Sequence, residues 1–174
     1  MAYCNQTLAG IQLDCTNSLG GIKTVYLANY GDVVDVAVGE DGMITGITMA
    51  SGATFKPYQF RKQTGSMTST LNVDETAGIN YVSTELSLVF TKMETAKRIE
   101  MTALAIGQLA AIVEDSNNKY WYLGLNDYVS SSAGSGNTGQ NKGDSNNYSL
   151  TLKDESDTYP YEIEKSAVEA VIAK

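Results

Sequence analysis

The stretch METAKRIEMTALAIGQLAAIVED, residues 93–115, decides how the chain is read. Ile99, Ala103, Ile106, Ala110 and Val113 recur at three- and four-residue spacing and form one stripe of a helix. Met101, Leu104 and Ile112 occupy the flanks. Thr91 and Glu94 stand at the T-x-x-E spacing of a capping box, in which the hydroxyl accepts from the N–H at Glu94 and the carboxylate accepts from the N–H at Thr91. The pattern predicts one α-helix over about 92–114 with the Ile106 stripe facing a sheet. Its second half is apolar nearly all round, so the Leu104 flank needs another cover, which a neighbouring chain would supply.

On the N-terminal side of this helix the chain reads as β. Residues 21–30, GIKTVYLANY, are rich in β-branched and aromatic types, and VVDVAVGEDGMITGITMA gives two short strands around a Glu40-Asp41-Gly42 hairpin. TFKPYQFRK continues extended, with Pro57 pointing to a sheet edge. SMTSTLNVD and INYVSTELSLVF then alternate. Met67, Ser69, Leu71 and Val73 share one face of the first, and Val82, Thr84, Leu86, Leu88 and Phe90 share one face of the second, with Ile79 and Tyr81 opposite. Such alternation marks strands with one wet face, as a channel wall or an ordinary surface sheet would use.

Beyond the helix, KYWYLGL places Tyr120 and Tyr122 on one strand face and Trp121 on the other, which reads as a strand buried on both sides. A run of Ser, Gly and Asn follows, GLNDYVSSSAGSGNTGQNKGDSNNYSLTL, and reads as a loop over 126–147. Uncovered loops beyond about 12–15 residues are uncommon in compact domains unless they are functional or ordered by a partner. YSLTLKDES and YPYEIEK return as strands, and SAVEAVIAK fits either a strand or a short helix. The elements predict a mainly β chain, α+β in class: an antiparallel β-sandwich or barrel with one flanking helix and a long inserted loop, in a single domain over residues 1–174.

Composition narrows the chemistry. The chain has no histidine, which removes Ser-His-Asp and Cys-His activation and HExxH zinc chemistry. Neither GxxxxGK[ST] nor GxGxxG nor a DxDxDG calcium loop occurs, so no cofactor or metal is expected. Asp154, Glu155 and Asp157 form the densest acidic cluster; it is expected to be a polar turn between strands, so no enzymatic activity is expected, with a two-carboxylate hydrolase as the competing reading. A net charge of −8, with only Arg61-Lys62 and Lys97-Arg98 adjacent among the basic residues, argues against gripping nucleic acid. No apolar run predicts a membrane anchor or a secretory signal, and Cys4 and Cys15 are expected to be free thiols.

Three stretches together resemble the tail-tube or ring proteins of tailed bacteriophages, most closely the ring-type virion proteins of crAss-like and related Bacteroidales phages. They are CTNSLGGIKTVYLANYGDV, ELSLVFTKMETAKRIEMTALAIGQLAAIVEDSNNKYWYLG and GDSNNYSLTLKDESDTYPYEI. The resemblance implies a tail-tube type β-sandwich or barrel flanked by a helix. It also implies copies joined in a ring, other tail or portal-vertex proteins as partners, and DNA passing through the lumen without specific binding. The expected location is the virion tail, after assembly in a host cytoplasm. On this reading residues 126–142 are an assembly arm, and the subunit interface falls on Met101, Leu104, Tyr128, Val129, Ser131, Gly134, Asn137, Gln140 and Lys142. A different class stays open beside it. A surface-exposed β-sandwich binding module, for carbohydrate or a host receptor, would use some of the 11 tyrosines as a stacking platform.

Overall fold

The computed structural model of the chain describes residue 3 and residues 5–173. Its strands are β1 (Ile22–Asn29), β2 (Val33–Val38), β3 (Ile44–Met49), β4 (Lys56–Gln59), β5 (Ser66–Asp74) and β6 (Ile79–Thr91), then β7 (Leu109–Asp115), β8 (Tyr120–Leu123), β9 (Ser130–Asn137), β10 (Asn147–Ser156) and β11 (Tyr161–Ile163). Helix α1 (Thr95–Ile106) lies between β6 and β7, and α2 (Lys165–Val171) follows β11. The fold is mainly β in two sheets. One runs β2-β3-β11-β8-β7-β1-β4 and the other β5-β6-β10-β9, and neither closes into a barrel. The seven-stranded sheet is mixed rather than antiparallel, because β11 pairs with β3 in parallel at Ile163 and Ile44.

Two cores follow from this order. Val25, Leu27, Leu109, Ala111, Val113 and Leu123 from the larger sheet meet Leu86, Leu88, Leu150 and Leu152 from the smaller one. On the larger sheet's other face, Ala110, Ile112, Tyr122 and Ile163 meet Phe55 and the Ala167, Val168 and Val171 face of α2. Strands β7 and β8 therefore lie between two apolar layers. KYWYLGL was expected to do so, and Trp121 packs on the first core while Tyr120 and Tyr122 belong with the second.

The helix expected over about 92–114 is really a helix followed by a strand. Residues 109–113 are buried at every position, and a strand covered on both faces has apolar residues throughout, so its pattern satisfies a helical period as easily as a β one. The break falls at Gly107, where a Cβ would come within 3.2 Å of the Ala103 carbonyl and of a Leu109 methyl. The capping box is also absent. Thr91 is still strand, paired with Asn147, Lys92 turns the chain at φ 69°, and the Glu94 carboxylate engages Lys97 at 2.9 Å.

The helical stripe is inverted as a result. Ile99 and Ile106 are exposed, Ile106 by 86%, whereas Leu104, expected on a flank offered to a neighbour, is 4% exposed in the chain's own first core. The long loop is corrected in the same way. Residues 130–137 are the edge strand β9, paired with β10 from Asn137↔Asn147 to Ser130↔Lys153. Only residues 138–146 remain as a connection, where the Asp144 carboxylate accepts from the backbone N–H groups of Gln140 and Asn141 at 2.8 and 2.7 Å. The other strand readings hold, with Pro57 on the edge strand β4 and Gly42 at φ 82° in the β2–β3 turn. Of SAVEAVIAK, residues 166–171 belong to the helix α2, and Ile172 makes an isolated parallel bridge with Phe55.

The inversion is measurable. Leu104→Asp should cost several kcal/mol by burying an unpaired charge, while Ile106→Asp should stay within about 0.5 kcal/mol of the parent chain. Chemical denaturation of the two variants reads this directly, and an equal loss in both would return Ile106 to the core.

Candidate functional site

The four-stranded sheet has one face on the first core and one face open. Antiparallel register carries residues of like orientation across the strands in rows. One open-face row runs Ser66, Ser87, Thr151, Ala133; the next runs Thr68, Glu85, Lys153, Ser130. Thr70, Ser83 and Glu155 form a third on one side, and Val89, Ser149 and Ser135 a fourth on the other. None of these residues is buried, and among the described residues no element packs over them. Helix α1 lies against β9 and β10 from the core side, where Leu104 and Met101 join the first core.

Small hydroxyl side chains dominate this face. Threonine favours the pleated backbone through its β-branch, and serine tolerates it. The Ser135 and Ser149 hydroxyls meet across the strands at 2.7 Å. Charge within the rows amounts to one lysine against two glutamates, a net of −1, and Lys153 is paired with Glu155 at 2.7 Å, which holds the ammonium above its ordinary pKa. A depression of about 290 Å³ lies in the face beside Tyr81, Asn72 and Glu85. The arrangement offers exchangeable hydrogen bonds to water and no cluster of free cations for phosphate.

Asp154 behaves differently from its neighbours. Adjacent strand residues point to opposite faces, so Asp154 enters the core side while Glu155 stands on the open face. The two therefore cannot flank one bond as a hydrolytic pair, and KDES is strand rather than turn. Asp154 is 5% exposed, and its Oδ1 has no hydrogen-bond partner. Burial raises its pKa to about 6, against the lowering effect of the Gly124 backbone N–H and with smaller raising effects from Asp127 and Glu155.

The interface residues expected from the sequence are divided among several surroundings. Leu104 and Val129 fill the chain's own core, which makes them unavailable as surface contacts, and Met101 is half-buried against it. The Ser131 hydroxyl donates to the Leu104 carbonyl at 2.8 Å and so satisfies one of the acceptors left over at the end of α1. Tyr128 is partly exposed and meets Tyr30 edge-on. Gly134 and Asn137 lie on the edge strand β9, and Gln140 and Lys142 are exposed in the connection beyond it. Cys15 is exposed; Cys4 lies outside the described residues, and any pairing of the two lies there with it.

Two exposed apolar features escaped the sequence reading. The outer end of the β5–β6 hairpin exposes Leu71 and Val73 on one face and Ile79 and Tyr81 on the other, so a two-stranded ribbon carries apolar groups on both sides. Residues 5–21 are exposed throughout, including Leu8, Ile11 and Leu13. Leu71 and Val73 continue the core-facing stripe of β5 past the end of the core, whereas Ile79, Tyr81, Leu8, Ile11 and Leu13 stand outside any core-forming stripe. No protein-family model, curated protein or solved structure matches the chain.

Asp154 makes stability depend on pH in a defined direction. Between its ordinary value of 3.8 and about 6 the folded chain holds a proton that the unfolded chain has released. This group's contribution is therefore most favourable below the lower value, falls as pH rises through the window and stays low above it. Across that window the parent chain should lose roughly 3 kcal/mol, about 1.4 kcal/mol per pH unit, and Asp154→Asn should remove the slope. Denaturant titrations at several pH values check this; an unchanged slope in the variant would assign the dependence to another group.

Proposed function

We propose that the chain is a structural subunit of a tailed-phage virion, of the tail-tube type. Copies assemble side by side into a ring or tube, and the hydroxyl-rich face of the four-stranded sheet lines a lumen through which DNA passes during ejection. The observation that carries this reading is that face: four strands wide, uncovered, and nearly neutral. DNA moving along such a wall meets hydroxyls that trade hydrogen bonds with water and finds no cations whose counterion release would hold it. The exposed hairpin supports the same reading, because Leu71 and Val73, about half exposed on the side away from the hydroxyl-rich face, would gain roughly 1 kcal/mol each on burial against a neighbour before the cost of association. Other tail or portal-vertex proteins would meet the ends of the tube. The depression beside Tyr81 favours the second reading, a binding module for carbohydrate or a host receptor, for which glycan binding by a monomer would speak.

A lumen distinguishes linear from circular DNA, since only a molecule with free ends threads a closed ring. Assembled parent chain should bind neither form appreciably at roughly physiological salt. The variant Thr68→Lys/Thr70→Lys/Thr151→Lys should bind linear duplex, lose it steeply as salt rises, and ignore closed-circular plasmid. Equal binding of both forms would put the face on the outside, and tight binding by the parent chain would contradict a wall that lets DNA slide.

A further inference from the structure

The exposed N-terminal segment and the edge of the smaller sheet are each incomplete in the same chemical sense. Leu8, Ile11 and Leu13 are each at least 89% exposed, and Asp14 is the only charged residue before Cys15. The segment joins the domain at Leu19, whose backbone N–H and carbonyl pair with the Asn117 side chain at 2.8 and 2.9 Å. Strand β9 ends the order β5-β6-β10-β9, so half of its backbone groups face outward without a strand partner. On its core side Ser131 and Gly134 leave space beneath α1. A groove of about 520 Å³ runs there, walled by Met101, Ala105, Tyr148 and Leu150, with Arg98 among its lining residues.

We propose that residues 7–14 of one copy dock on a second copy as a strand added to the β9 edge, with Ala9, Ile11 and Leu13 seated in the groove beneath α1. Length agrees: β9 has 8 residues, and an eight-residue strand covers roughly 26 Å at about 3.3 Å per residue. The period of two places Ala9, Ile11 and Leu13 on one face of the added strand. Gly10, at φ 76° in the single chain, has the conformational freedom to become extended on docking. Asp14 closes the segment with a charge opposite to that of Arg98. The occupant is a second copy because, within one chain, the segment and the groove are both open at once.

Such a contact joins two different surfaces, so it propagates from copy to copy or closes a ring. It needs only a second copy and stands apart from the role proposed for the opposite, hydroxyl-rich face.

The full chain carrying a photoreactive benzoylphenylalanine in place of Ile11 tests the contact when isotopically heavy and light copies are mixed, irradiated and digested. Cross-links between a heavy and a light peptide should map to residues 98–105 or 131–135. Ala105→Trp, at an exposed position that fills the groove, should abolish them while leaving the thermal melt unchanged. Cross-links confined to one chain, cross-links on other surfaces, or undiminished cross-links in the Ala105→Trp protein would each overturn the proposal. Rings that form without these cross-links would leave the tube standing and remove the arm contact. Cross-links at the expected peptides in a dimer or an open chain would keep the contact and remove the ring.

Discussion

Ile112 and Val113 are neighbours in sequence and fill different cores, and most of the architecture follows from that double burial. A strand with apolar side chains on both faces needs two covers. On one side of β7 the cover is the compact helix α2 with Phe55, whose backbone N–H donates to the Val171 carbonyl at 2.9 Å. On the other it is the four-stranded sheet, with Leu104 of α1 closing the margin. That sheet uses Val82, Thr84, Leu86, Leu88 and Phe90 to make the cover, so its alternate residues are left for solvent. The polar face is thus the other half of the pattern that builds the core.

Asp154 interrupts this core at the row where Thr84 faces it across the strands. Thr84 is itself buried and satisfies its hydroxyl against Ser69 at 2.8 Å, which leaves the Asp154 Oδ1 alone. The first core is fully apolar at Leu86 and Leu88 and becomes polar toward the hairpin end, where the ribbon leaves the domain and exposes Leu71 and Val73. Apolar groups reappear beyond the point at which the chain's own core has stopped, which is the distribution expected of a surface completed by another subunit.

Local patterning was sufficient for the strands with one wet face and for the Glu40-Asp41-Gly42 turn, because alternation and turn chemistry are properties of adjacent residues. It failed at β7, where double burial erases the period, and at β9, where Ser, Gly and Ala carry little strand preference of their own. Strand β9 exists because β10 presents a register to it, and that pairing joins residues distant in sequence. The interface expectation inherited both errors: it placed Leu104 and Val129 on a surface and treated an edge strand as a free arm. The uncovered polar face was legible in the alternation of β5 and β6, but its width was not, since it required β9 and β10 to be placed beside them.

Density for the native assembly, resolved well enough by electron microscopy to trace individual strands, decides whether the hydroxyl-rich face lines a lumen. The expected result is a closed ring or tube in which the β5-β6-β10-β9 sheet turns its Ser/Thr face inward, with Glu85 and Lys153 at the lumen. A particle in which that face points outward or is buried between subunits, or a protein that forms no ring at all, would contradict it.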